Sequence, residues 1–325
     1  MGAMDFQIGF GDESTYGTAV TPTRFFEYDS ESIEESEGRT EGDPLRGGSA
    51  FLRHDRFTPY FSGASGSVSM AVLTKGFGYF LKHMLGASAS SAAVDGKYTH
   101  TGTEGELLGK SFTMQMNRPL NPGGTNQPFT YRGGKVTEWT LSNSVDDNLM
   151  LELGLDFQQV ATATALATPV YPVSMDNFTW AGGVLQVGGV SVDITEISLQ
   201  GNNGYNVDRR QIRGNTDKKE PTASRREASW SIKADFESMA LRNRVRVDAR
   251  DDALAQIVAT WTGPRLIGTT SRPTLVATIP AGRFDEWKGA TEGTEAIEQE
   301  LSGVVRANGS ASPVSIAYGS ADAAA

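Results

Sequence analysis

Between Leu149 and Gln158 the side chains alternate without a slip. Leu149, Leu151, Leu153, Leu155 and Phe157 are apolar, and Met150, Glu152, Gly154, Asp156 and Gln158 separate them. A period of two belongs to a strand, whose successive side chains point to opposite faces; a helix would scatter these five around its circumference. One face is greasy and the other wet and acidic. Such a strand sits in an antiparallel sheet with one solvated face.

The same signature recurs along the chain. Gly66–Leu73 alternates through Val68, Met70 and Val72, and Ser111–Asn117 through Phe112, Met114 and Met116. Phe129–Asn143 is interrupted at Gly133-Gly134 and then sets Thr137, Trp139 and Leu141 against Val136, Glu138 and Thr140. Ala228–Phe236 carries Trp230, Ile232, Ala234 and Phe236. Val190, Val192 and Ile194 change phase before Ile197 and Leu199, which suggests a β-bulge. Phe178–Val187 reads as a hairpin through Gly182-Gly183. Thr195-Glu196-Ile197-Ser198-Leu199 resembles Thr137-Glu138-Trp139-Thr140-Leu141, a hint of two related sheet units. The 37 glycines in 325 residues, about 11% against a usual ~7%, fit many short strands and turns. The expected fold is mainly β: a single domain over 1–325, a β-sandwich or partial barrel with one or two flanking α-helices, long loops and an extended N-terminal arm.

One stretch changes period. From Thr74 to Gly86, Phe77, Phe80, Leu81, Met84 and Leu85 fall on one helical face. Thr74 suits an N-cap and Gly86 a C′ residue. This helix covers a sheet, and His83, off its apolar stripe, is expected to be exposed. Glu237–Ala249 reads as partly helical, and Ala253–Trp261 is ambiguous between helix and strand.

Four segments hold no lasting period. Residues 1–22 form a glycine-rich arm with Pro22 near its end. Such an arm buries too little to offset the ~1–2 kcal/mol per residue of backbone ordering. Residues 29–65 are acidic first (Glu31, Glu34, Glu35, Glu37, Glu41, Asp43) and basic second (Arg46, Arg53, His54, Arg56). A loop this long is usually functional or disordered; its charge asymmetry suits a long hairpin or loop that docks on a neighbour. Residues 202–226 form a basic loop with Arg209, Arg210, Arg213, Lys218 and Lys219, and 319–325 a mobile tail. Arg242, Arg244 and Arg246 alternate closely. An exposed edge is one reading, and a contact to an acidic partner such as the Glu31–Asp43 segment of a neighbouring copy is the other.

Catalytic chemistry finds little footing. The chain has no cysteine, which removes thiolate metal sites and a Cys nucleophile, and its three histidines are far apart. No serine has the nucleophile-elbow spacing, and Gly9-Phe10-Gly11 lacks the rest of a dinucleotide fingerprint. No catalytic residue, metal or cofactor is assigned. Among 39 acidic residues any glycosidase-like pair is a chance finding. No apolar run of membrane-spanning length occurs, nor an apolar signal region. A net charge of −10 argues against gripping phosphates, which takes Lys and Arg. It suits a surface that must not hold nucleic acid, and equally one that is merely soluble. Trp180, Trp230, Trp261 and Trp287 could supply an aromatic platform for a glycan, or pack in the core.

The segment GFGDESTYGTAVTPTRFFEY (9–28) resembles the opening of tail tube proteins of long-tailed, siphovirus-like bacteriophages. So do GSVSMAVLTKGFGYFLKHMLG (66–86), YTHT (98–101), KVTEWTLS (135–142), FTWAGG (178–183) and ADFES (234–238), in order across most of the chain. The resemblance implies a structural subunit, not an enzyme, forming stacked hexameric rings around a β-barrel lumen that conducts viral DNA at ejection. It implies no cofactor. It implies partners that are other copies of the chain, the tape measure, tail terminator and distal tail proteins, and DNA that passes without specific binding. No membrane is involved: the place is the virion tail, assembled in the host cytoplasm. On this reading Glu152 and Asp156, then Glu138 and Glu196, are candidates to line the lumen. Asp12, Glu13, Tyr16, Glu34, Glu35, Arg46, Arg53 and Arg56 are candidates for contacts between subunits. Two alternatives stay open: another tail component of the same sandwich fold, such as a distal tail or tail-completion protein, and a β-sandwich glycan- or receptor-binding module.

Overall fold

Two long strands organise the chain, because each pairs with different neighbours along its two halves. The computed structural model describes residues 6–42, 44, 45, 48, 50–120, 124–247, 253–289, 297–309 and 311–324. The chain opens with β1 (Ile8–Glu13), β2 (Arg24–Phe26), β3 (Ser30–Glu31), β4 (Glu34–Glu41) and β5 (Phe57–Ala71), then helix α1 (Gly78–Leu85). β6 (Gly86–Ser90), β7 (Tyr98–Glu104), β8 (Ser111–Asn117), β9 (Pro128–Ser144), β10 (Met150–Phe157) and β11 (Gln159–Ala161) follow. Next come β12 (Gly183–Val187), β13 (Val190–Val192), β14 (Glu196–Asn202), β15 (Tyr205–Asn206), β16 (Thr222–Ala223) and β17 (Glu227–Asp235). Helix α2 (Ala240–Val245) precedes β18 (Leu254–Thr262), β19 (Thr274–Gly289), β20 (Glu298–Val305) and β21 (Ser315–Ser320).

The first half of β9 pairs with β8 and β11, in a sheet ordered β2-β1-β8-β9-β11. Its second half, from Lys135, lies between β10 and β14 in the ladder β4-β5-β10-β9-β14-β17-β20-β19. β9 turns from one sheet to the other at Gly133-Gly134. Gly133 is left-handed at φ +66°, a conformation glycine takes without steric cost. β19 joins two ladders within one sheet: its last residues pair with β20, while its first half lies between β18 and β21 in the order β13-β12-β18-β19-β21-β7-β6. The fold is mainly β, with two α-helices among the described residues, and the sheet is not closed.

The apolar faces share one core. It contains Phe10 and Phe112 from the first sheet and Leu151, Trp139 and Ile232 from the second. Trp261, Ile279 and Tyr318 come from the β18-β19-β21 ladder, and Phe80 and Leu81 from α1. Each large side chain buried this way contributes about 1.5–3 kcal/mol.

Several expectations are corrected, and others that stood open are settled. The N-terminal segment is no self-insufficient arm: Ile8 and Phe10 are wholly buried, and β1 pairs with β2 and β8. The chain supplies its own partner, because Phe10 packs against Phe26, Tyr79, Phe80 and Phe112. Within 29–65, β4 and β5 form a long hairpin. Helix α1 starts later than Thr74; the Thr74 hydroxyl instead accepts the Asp176 N–H, while Gly86 closes the helix at φ +98°. His83 is buried, because β1 covers that side of the helix and Asp12 reaches its ring. Gly182 ends a 3-10 turn, and the hairpin turns instead at Gly188-Gly189, both at positive φ. The phase change after Ile194 separates two strands, β13 and β14, rather than marking a bulge. The two similar pentapeptides are antiparallel neighbours with Leu199 opposite Leu141. Ala253–Trp261 is mostly strand β18. In 319–325, Gly319 and Ser320 belong to β21, and Asp322 accepts hydrogen bonds from Gly76 N–H and the His100 ring.

Candidate functional site

The ladder from β5 to β20 presents one buried face and one polar face. Alternation fixes which residues share the polar side. Across one row lie Ser69, Glu152, Thr140, Gln200 and Ser229. The next holds Ser67, Gly154, Glu138, Asn202 and Glu227. Further along come Met150, Ser142, Ser198, Ser231 and Ser302, then Ser144, Glu196, Lys233 and Glu300. Short hydroxyl side chains dominate, so the face is smooth and wettable. Glu138, Glu152, Glu196, Glu227 and Glu300 outnumber Lys233, giving it a negative sign. Glu138 and Glu152 are exposed. Glu196 pairs with Lys233 in a half-exposed contact, of a kind that contributes little to stability.

Asp156 shares the strand face of Glu152, yet it is buried rather than wet. The basic loop 202–226 folds over that end of the sheet and places Lys218 Nζ 2.5 Å from Asp156 Oδ1. Burial raises the Asp156 pKa, and the Lys218 ammonium works against that rise. The loop is fixed by two more pairs. Lys135 Nζ, buried, meets Glu220 at 2.5 Å and donates to the Leu107 carbonyl. Arg132 meets Asp217 at 3.3 Å. Burial lowers the Lys135 pKa, opposed by Glu220. Arg226 closes the loop by donating to the Leu85 and Gly105 carbonyls. The loop's charges thus largely engage the chain's own body, which its composition alone does not reveal.

The N-terminal candidates also find partners inside the chain. Asp12 accepts from Lys82 and from the His83 ring on α1. Glu13, 5% exposed, accepts from Ser111 Oγ, Thr113 Oγ1 and the backbone N–H groups of Gly17 and Gly133. That network pins β1 to the bend in β9. Tyr16 lies against Lys135, and burial raises its pKa well above the phenol range.

The β4–β5 hairpin is the opposite case. Along β4, Glu34, Glu37 and Glu41 are exposed and Glu35 is half-buried. Phe57 and Phe61 on β5 are about half exposed, at 47% and 51%. These two rings stay partly in water on the hairpin, next to the exposed carboxylates of β4. Arg53 pairs with Asp55 at the tip, and Arg56 is exposed. Arg46 and Asp43 lie outside the described residues. The sequence hides β4 because EESEGRTE has no apolar residue to set a period.

Trp230 and Trp261 are buried and Trp287 is partly covered by α2, so the tryptophans do not gather into a platform. Among the described residues, no group of three or more His, Asp or Glu is placed to hold a metal ion. No helix is long and apolar enough to cross a membrane.

Residues 5–305 match the family model of the phage tail tube protein. No curated protein matches the chain significantly.

Proposed function

The chain belongs to the phage tail tube protein family, and from that premise we propose that its copies close into hexameric rings that stack into a tube around the polar sheet face. The family makes it a component of the phage particle and a structural subunit of the tail tube. On this proposal the siphovirus-like tail type holds, and the lumen passes viral DNA without catalysis or specific binding.

The observation that carries the reading is the polar face: rows of Ser, Thr, Gln and Glu crossing the ladder, backed by a continuous core. Carboxylates repel phosphates, and short hydroxyl groups offer no cation to displace counterions. Glu138, Glu152 and Glu196 are the proposed lining acids; Asp156, under the basic loop, serves to anchor that loop. An unclosed sheet with exposed edges fits as well, since edges left unpaired promote association and closure removes them. Glu34, Glu35 and Arg56 on the hairpin remain proposed contacts between copies.

Negative-stain microscopy of the purified chain tests the proposal. The expected result is hollow rings or tubes. A chain that stays monomeric at every concentration overturns it.

A further inference from the structure

The main ladder ends in two surfaces of opposite charge. At one end β4 pairs only with β5, so its outer backbone edge meets no other strand among the described residues. Glu34, Glu37 and Glu41 stand exposed there, and none forms an ion pair among the described residues. At the other end α2 packs on β19. Arg242 lies over the Trp287 ring at 5.8 Å and Arg244 over the Phe284 ring at 5.9 Å. Arg246 follows, exposed, and none of the three arginines has a carboxylate partner among the described residues. The rings engage the guanidinium groups themselves, and a guanidinium's forked N–H donors suit carboxylate recognition.

We propose that the acidic β4 edge of one copy docks on the Arg242–Arg246 surface of the next. The occupant is a second copy of this chain because the two surfaces complement each other in sign and lie at opposite ends of one ladder. A surface pair of that kind is heterologous: each copy offers one half to each neighbour, and the series closes into a ring. The inference rests on the ring assembly proposed above and assigns its contact. It also gives a role to three arginines within five residues that have no carboxylate partner among the described residues.

Charge exchange tests it. One variant carries Glu34→Lys, Glu37→Lys and Glu41→Lys; a second carries Arg242→Glu and Arg244→Glu. Each alone should need at least a tenfold higher concentration to assemble, while circular dichroism shows wild-type folding. A one-to-one mixture should assemble as alternating copies, because each reversed surface then meets its complement. Wild-type assembly by both single variants overturns the contact, as does a mixture no better than its parts. The chain contains no cysteine, so a Glu37→Cys, Arg242→Cys double variant gives a second readout that needs no charge change. Oxidation of its assemblies should yield covalent ladders beyond the dimer, and monomer alone overturns the contact. If wild-type chains form tubes and both tests fail, only this contact falls; if they form none, the ring reading falls with it.

Discussion

Lys218 Nζ lies 2.5 Å from Asp156 Oδ1, with the two side chains only 8% and 4% exposed. This pair joins a loop remote in sequence to the central strand β10, at the point where the polar face passes under cover. Breaking it from one side leaves a buried charge alone. Lys218→Met should therefore cost about 3–5 kcal/mol, whereas Lys218→Met with Asp156→Leu should recover most of the loss. Urea unfolding of both variants measures the difference. Equal losses in the single and double variants would show that the loop is held by its other contacts.

The acid side of the stability curve should be set by β1 and α1. At Asp12 burial opposes ionisation, but hydrogen bonds from His83 and Lys82 more than offset it and hold the carboxyl well below its ordinary value of 3.8. Burial pushes His83 below its ordinary 6.5, with Asp12 pulling the other way. Both folded pKa values are depressed, so the unfolded chain binds more protons and stability rises with pH. Stability is full above 6.5 and falls in two stages on acidification, below 6.5 for His83 and below 3.8 for Asp12. His83→Gln should remove the first stage and Asp12→Asn the second. Thermal melts across the acid range check this, and an unchanged profile in either variant removes that residue from the account.

Phe10 touches four aromatic rings, with centroid separations of 5.3 to 6.1 Å. Phe10→Ala should cost about 3–5 kcal/mol. Deleting residues 1–22 should abolish cooperative folding outright, since β1 leaves with them. A deletion product with a wild-type melting transition would return this segment to the status of a detachable arm.

Glu138→Lys with Glu152→Lys should leave the fold intact, both positions being exposed. Tubes of this variant should hold DNA, and each lysine that engages a phosphate should add about 0.9 to the slope of log affinity against log salt. Gel-shift titration at two salt concentrations gives that slope, and ejection from phage carrying the variant should be slowed. If DNA ejects at the wild-type rate from intact particles, these two positions do not face the passage.

The sequence shows those parts of the fold where one side of an element is dry and the other wet. β10, β17 and α1 announce themselves because burial imposes a period on them. β4 does not, since both of its faces meet water and nothing in EESEGRTE repeats. β18 has the composition of either structure, and pairing with β12 and β19, distant in sequence, decides it. The polar face was legible in Glu138, Glu152 and Glu196, but the cover over Asp156 comes from Lys218, 62 residues further along. His83 misled for the same reason: it reads as surface within its own segment, and β1 buries it. Glu13, a candidate for contacts between subunits, is likewise enclosed from outside its segment, by Ser111, Thr113 and Gly133.

β9 belongs to two sheets and β19 joins two ladders of one sheet, and that has a mechanical consequence. A sandwich whose layers meet only through side chains can shear, because side-chain contacts slide. Here the backbone itself crosses from one sheet to the other at Gly133-Gly134 in β9, and β19 carries one ladder into the next within its sheet. A twist applied to one layer is carried to the other through covalent bonds. In the assembly proposed above, a subunit built this way would turn as one body, and bending of a stack would fall on the joints between copies.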